Sequence, residues 1–271
     1  MVQLFIALVI ILIGFFVFKF YPIDRKNITK MVLAAIFIMI TVIAKRFLTI
    51  MIPLFGLESL KIGLEYIPLM VAGYFLSPSY AFLIGLSCDL IGLILVPTGF
   101  PFFGFTLTMI LVCLIPSLIK THIKNINANR IDLIVKGLIS LLGLSGILYI
   151  YSLDEISISN TIYTLSMTQK TPLMILCFII ILLFLFVIEY LKKKTNHEES
   201  TSFSLWILSV ITVEVICTLF FSPLWLEIMY GIPFVVSFCI RVIKECFVIP
   251  LEIFLGFTII KVLKRIFMNK I

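Results

Sequence analysis

The sequence predicts an all-α, polytopic membrane protein, and three observations carry that prediction. Hydrophobic residues make up 62% of the chain and charged residues 13%, with a mean hydropathy of +1.25. A soluble domain averages about 45–50% apolar and about 25% charged, so lipid must be the solvent for most of this surface. The apolar residues also gather into nine runs near the length that a membrane helix needs. Finally, no run alternates with period 2 as a membrane barrel would, and an open sheet in lipid would leave backbone groups unsatisfied.

The runs are 2–20, 31–50, 60–76, 79–96, 104–119, 132–151, 173–191, 203–222 and 236–260. The first has no basic leader and no small-residue cleavage site after it, so it reads as a span and not as a signal peptide. The third and fifth are short. Pro78 separates the third from the fourth, because helices usually end before the residue preceding a proline. The other runs are long enough to cross a bilayer.

Charge orients these spans. The segment 21–30 carries Arg25, Lys26 and Lys30, and 120–131 carries Lys120, Lys124 and Arg130. Lys192, Lys193 and Lys194 follow the seventh span, and Lys261, Lys264, Arg265 and Lys270 follow the last. With nine spans all four basic segments fall on one side, which the positive-inside rule assigns to the cytoplasm. Asp154 and Glu155 fall on the other side. The expectation is a cell-membrane protein with its N-terminus outside and its C-terminus cytoplasmic. The formal charge of +7 belongs to this pattern and not to nucleic-acid binding.

Several chemistries are missing from the sequence. It has no GxxxxGK[ST], HExxH or GxSxG motif. The two histidines, His122 and His197, fall in cytoplasmic segments, and the six cysteines lie singly in apolar runs without a CxxC pair. No metal site is expected. An intramembrane enzyme acting on a lipid or prenyl substrate would need carboxylates such as Asp89 and Glu214 to converge.

Ionisable residues in or beside the apolar runs need an explanation, because a mid-bilayer charge costs about 2.5–3.5 kcal/mol. They are Arg46, Glu65, Asp89, Glu189, Glu214, Arg241, Lys244, Glu245 and Glu252. Glu189 abuts the basic run after it and snorkels. Arg46, Arg241 and Lys244 gather toward the outer half of the membrane, and the last two, three residues apart, share a helix face. Tyr66, Phe100, Phe102, Phe103, Phe105, Trp225 and Tyr230 cluster at that level. Singly these aromatics read as interface anchors. Cations and aromatics together suit a flat, anionic, aromatic ligand, which points to binding or transport of a small molecule.

Specific blocks narrow this further. Lys45-Arg46-Phe47-Leu48 precedes Lys61-Ile62-Gly63, then Tyr66-Ile67-Pro68-Leu69-Met70-Val71-Ala72-Gly73 and Asp89-Leu90-Ile91-Gly92. Next comes Pro97-Thr98-Gly99-Phe100-Pro101-Phe102-Phe103-Gly104-Phe105-Thr106-Leu107-Thr108. Tyr230-Gly231-Ile232-Pro233-Phe234, Arg241-Val242-Ile243-Lys244 and Pro250 follow late in the chain. Over roughly 31–120 and 203–263 this order resembles the folate-specific S component of the energy-coupling factor (ECF) vitamin transporters. The resemblance implies a six-helix core that captures folate or a related vitamin at the outer face. It then docks on a transmembrane coupling subunit driven by two ATPase subunits, so ATP is used by the partners and the chain needs no cofactor. It implies that Arg46, Arg241 and Lys244 meet anionic or carbonyl groups of the ligand. Phe103 and Phe105 would shape or stack on its rings, and Thr106 would offer a hydroxyl. Gly104 either admits a close backbone approach or serves only as a turn residue. Tyr230 and Gly231 would lie in the outer loop before the last helix, and Asp89 reads as a structural helix–helix hydrogen bond.

The division of the chain follows. Residues 1–30 form an extra N-terminal span and loop, and 31–124 hold core helices one to four. Residues 125–202 insert a helical pair, and 203–271 hold core helices five and six with a basic tail. This sequence departs from the family in three further places. Met39 stands four residues after Ala35, where the docking face has a small residue. Phe103 stands where proline precedes the glycine of GFTL, and Glu65 puts a carboxylate near an anion site. A vitamin-binding transport subunit is the leading reading; the intramembrane enzyme and a non-transporting scaffold are the alternatives.

Overall fold

The computed structural model describes residues 2–24, 27–54, 57–95, 101–123, 128–152, 155–158, 161–164, 166–193 and 197–267. Arg25, Lys26, Pro97, Thr98, Gly99, Phe100, Lys124, Asp154, Lys194 and Lys270 lie outside these residues. The helices are α1 (Val2–Phe20), α2 (Ile28–Phe47), α3 (Tyr66–Phe75), α4 (Pro78–Leu95), α5 (Phe103–His122), α6 (Ala128–Ser152) and α7 (Met167–Lys193). After them come α8 (His197–Val213), α9 (Ser222–Tyr230) and α10 (Phe234–Phe267). A π-helical segment, Glu214–Phe221, joins α8 to α9.

Among the described residues, five helices are long and apolar enough to cross a membrane: α1, α2, α4, α5 and the continuous stretch Thr201–Tyr230. The chain is thus an all-α polytopic membrane protein in its membrane elements. Local sequence explains several boundaries. The Asn27 side chain caps α2 by accepting from Lys30 N–H at 3.2 Å. Pro78 opens α4, where a missing N–H costs nothing. Gly231 ends α9 with φ 67°, a left-handed conformation that glycine adopts without strain, and its N–H caps Glu227 C=O.

Two expected spans are corrected. The run 31–50 ends as a helix at Phe47, and 60–76 is not one long helix. Strands β1 (Thr49–Leu54) and β2 (Leu57–Gly63) form an antiparallel hairpin there, and α3 has only 10 residues. At 1.5 Å per residue α3 covers about 15 Å, half of the hydrocarbon thickness. The hairpin register shifts between Ile52 and Leu54. Pro53 stands at that shift and lacks the N–H that a regular ladder requires. A second hairpin, β3 (Glu155–Ile158) with β4 (Thr161–Thr164), joins α6 to α7.

One end of the bundle is tied together by hydrogen bonds at the helix ends. The Tyr21 hydroxyl meets His122 Nε2 at 3.0 Å, and the Tyr80 hydroxyl donates to Asp24 C=O at 2.8 Å. Lys120 Nζ donates to Tyr74 C=O at 2.6 Å, and Lys264 Nζ to Ser202 Oγ at 2.6 Å. Lys120, Lys264 and the α1–α2 connection therefore share one level, as the charge pattern requires. The opposite level holds the β1–β2 hairpin, the N-terminus of α5 and the α9–α10 connection.

Close packing of α3, α4 and α5 forms the centre. A Cβ on Gly73 would lie 1.9 Å from Cys113 C=O, and one on Gly85 would lie 2.6 Å from Met109 C=O. Hydrogen in place of a side chain lets these backbones meet, which is how helices gain contact where lipid removes the hydrophobic drive. α1 covers the outside of α4 and α5, with Gly14 and Phe18 against Phe82. α6 packs between α7 and α8, α7 also touches α10, and Lys136 joins Asp132 at 3.1 Å to Glu189 at 2.6 Å.

Candidate functional site: a buried charge cluster on the last helix

One face of α10 carries Ser237, Arg241, Glu245, Val248 and Glu252, at successive spacings of four, four, three and four residues, and all five are buried. This spacing places them on one helical stripe. Opposite stand the π-helical segment and the start of α3. Glu214, the first residue of the π-helical segment, is 1% exposed and sits within electrostatic reach of Lys244, Glu245 and Glu252. Tyr66, which opens α3, lies within reach of Arg241, Glu65 and Glu214. Lys244 Nζ pairs with Glu245 Oε1 at 2.7 Å, and Arg241 Nε donates to Ser237 Oγ at 3.4 Å. Glu65 accepts from the Thr49 hydroxyl at 3.0 Å, which ties the cluster to the base of the β1–β2 hairpin.

The widened helix has a local cause. Pro223 lacks an N–H and its ring crowds the preceding turn, so a regular α-ladder cannot run through it. The chain widens just before it, and Ser222 N–H bonds back five residues to Cys217 C=O. Single π segments occur often at functional sites.

The sequence-predicted residues divide into three groups. Arg241 and Lys244 enter the cluster just described. Arg46 lies across α2 and α4, where its Nη2 donates to Gly92 C=O at 2.7 Å. Beside it, Lys45 Nζ pairs with Asp89 Oδ1 at 3.1 Å, and the Thr106 hydroxyl donates to Asp89 Oδ2 at 2.7 Å. The Thr106 hydroxyl therefore serves a buried helix–helix hydrogen bond.

The third group surrounds the N-terminus of α5. Gly104 is packed on both sides, since a Cβ there would lie 2.3 Å from the Phe102 ring and 2.7 Å from Trp225. Trp225 stacks on Phe221 and donates its indole N–H to Thr108 Oγ1 at 3.0 Å. Phe103 and Phe105 are partly exposed on this end, Phe105 edge-on to Phe102. Tyr230 and Gly231 are exposed at the α9–α10 connection.

Asp89 and Glu214 are thus engaged in different places, and the convergence that an intramembrane enzyme would need is not formed between them. Among the described residues no group of three His, Cys, Asp or Glu is arranged to hold a metal ion. Glu214, Glu245 and Glu252 are the participants that the sequence reading did not place at the binding site.

Fold and site together define a polytopic helical membrane protein with a buried polar cluster. Its sequence is similar, at 29% identity over 117 residues, to the folate transporter FolT of Clostridium novyi (strain NT). That match covers 43% of this chain and 64% of the relative, so less than two thirds of the relative's length is spanned. No family model matches the chain.

Proposed function

We propose that the chain is the substrate-binding subunit of an ECF-type importer, which captures folate or a related vitamin at the outer face of the cell membrane. A transmembrane coupling subunit and two ATPase subunits would drive uptake, with ATP hydrolysed on those partners. The observation that carries this reading is the buried α10 cluster. Arg241 is buried inside a membrane bundle within reach of Tyr66, with Lys244 three residues along the same helix, a costly arrangement that lipid alone would not favour. Similarity to a folate transporter supports the class of molecule. The α2 face that would meet a coupling subunit is open, with Ala35 and Met39 exposed.

Reconstitution into liposomes tests the reading. Labelled folate should accumulate only when coupling and ATPase subunits are present with ATP. Accumulation with this chain alone, or chemical conversion of the ligand, would contradict it.

A further inference from the structure

The outward side of α10 changes character along its length. Leu251, Phe254, Thr258 and Val262 follow one another at steps of three and four residues, and all four are exposed. The Thr258 hydroxyl donates back to Phe254 C=O at 2.8 Å, so the stripe faces outward as an apolar surface. At 1.5 Å per residue it covers about 16 Å, the hydrocarbon depth of one leaflet. Lys261 and Arg265 continue the same stripe, Arg265 exposed and Lys261 half-buried. Neighbouring helices bring further positive charge to this end. α7 touches α10 and ends in Lys192 and Lys193. α8 opens at His197 shortly after, and Lys264 Nζ donates to Ser202 Oγ in α8 at 2.6 Å. Glu198 and Glu199 stand in the first turn of α8, and these cations outnumber them. The positive-inside pattern accounts for charge at a helix end. It does not account for the junction of that charge with an exposed apolar stripe one leaflet deep.

We infer that this junction binds an anionic phospholipid, its phosphate at Lys261 and Arg265 and an acyl chain along Leu251, Phe254 and Val262. A guanidinium forks two phosphate oxygens, and an ammonium adds a point charge beside it. Basic surfaces where membrane helices end take acidic headgroups in this way. A free anion would use the cations alone and leave the stripe without a part in binding. The inference is independent of the vitamin reading, since it uses neither Arg241 nor the N-terminal end of α5.

The test titrates the full chain in a nonionic detergent with dioleoylphosphatidylglycerol and, separately, with dioleoylphosphatidylcholine. Native mass spectrometry counts the bound lipid. Phosphatidylglycerol should bind about 10–30-fold more tightly, and Lys261→Gln combined with Arg265→Gln should remove that preference. Lys30→Gln combined with Arg130→Gln takes the same charge from the same end of the bundle and should preserve it. Equal binding of the two lipids by the wild-type chain overturns the inference, whatever the variants do. Equal loss of preference in both double variants also overturns it, because diffuse surface charge would then suffice. Displacement of phosphatidylglycerol by glycerol phosphate at comparable concentration overturns it as well, because the site would then be one for a free anion.

Discussion

Lys45 Nζ lies 3.1 Å from Asp89 Oδ1, and the other carboxylate oxygen of Asp89 accepts from the Thr106 hydroxyl at 2.7 Å. One buried carboxylate thus clamps α2, α4 and α5 together. Removing it leaves a partly buried ammonium and a buried hydroxyl without their acceptor. Asp89→Ala is expected to cost about 3 kcal/mol of stability. Asp89→Asn keeps an acceptor for Thr106 and should cost less. Thermal unfolding in detergent measures both, and an unchanged melting temperature in Asp89→Ala would refute the clamp.

Gly73 and Gly137 offer a contrast. A Cβ at Gly73 meets a backbone carbonyl at 1.9 Å, whereas one at Gly137 meets nothing within 4 Å. A backbone cannot yield as a side-chain tip can. Gly73→Ala should therefore cost at least the roughly 1–3 kcal/mol of an overpacked core. Gly137→Ala should stabilise α6 by about 0.5–1 kcal/mol, as expected for alanine within a helix. Gel-filtration profiles and melting temperatures of the two variants report the difference.

Much of the fold was legible as apolar run length, and the failures have physical causes. Run 60–76 was apolar enough for a span, but its first residues belong to a hairpin. The β-branched Thr49, Ile50, Ile52 and Ile62 favour paired strands over helix. Counting apolar residues does not see that preference. At the site, Arg241 and Lys244 were visible as charges. The sequence reading put Arg241 and Lys244 on one face, whereas the buried face runs through Ser237, Arg241, Glu245, Val248 and Glu252 at spacings of three and four. Glu214 is different. It reaches that stripe from another helix through packing that no local pattern encodes. The Lys45–Asp89 pair likewise joins two helices through packing that no local spacing shows.

The charge pattern makes an orientation testable. Single cysteines replacing exposed Tyr230 and Arg265, in a background free of the native thiols, sit near opposite ends of the bundle. With the basic ends cytoplasmic, a membrane-impermeant thiol reagent should label Tyr230→Cys in intact cells. It should label Arg265→Cys only after permeabilisation. The reverse pattern would invert the topology and remove an outward-facing site.

The central claim is that a vitamin is captured beside Arg241. Calorimetric titration of folate into the purified chain, with riboflavin, thiamine and biotin for comparison, tests it most directly. The account predicts saturable folate binding by the chain without ATPase partners, weakened about 100-fold in an Arg241→Ala variant that still unfolds cooperatively. Folded protein that binds none of the four, or that binds folate equally well without Arg241, would contradict it.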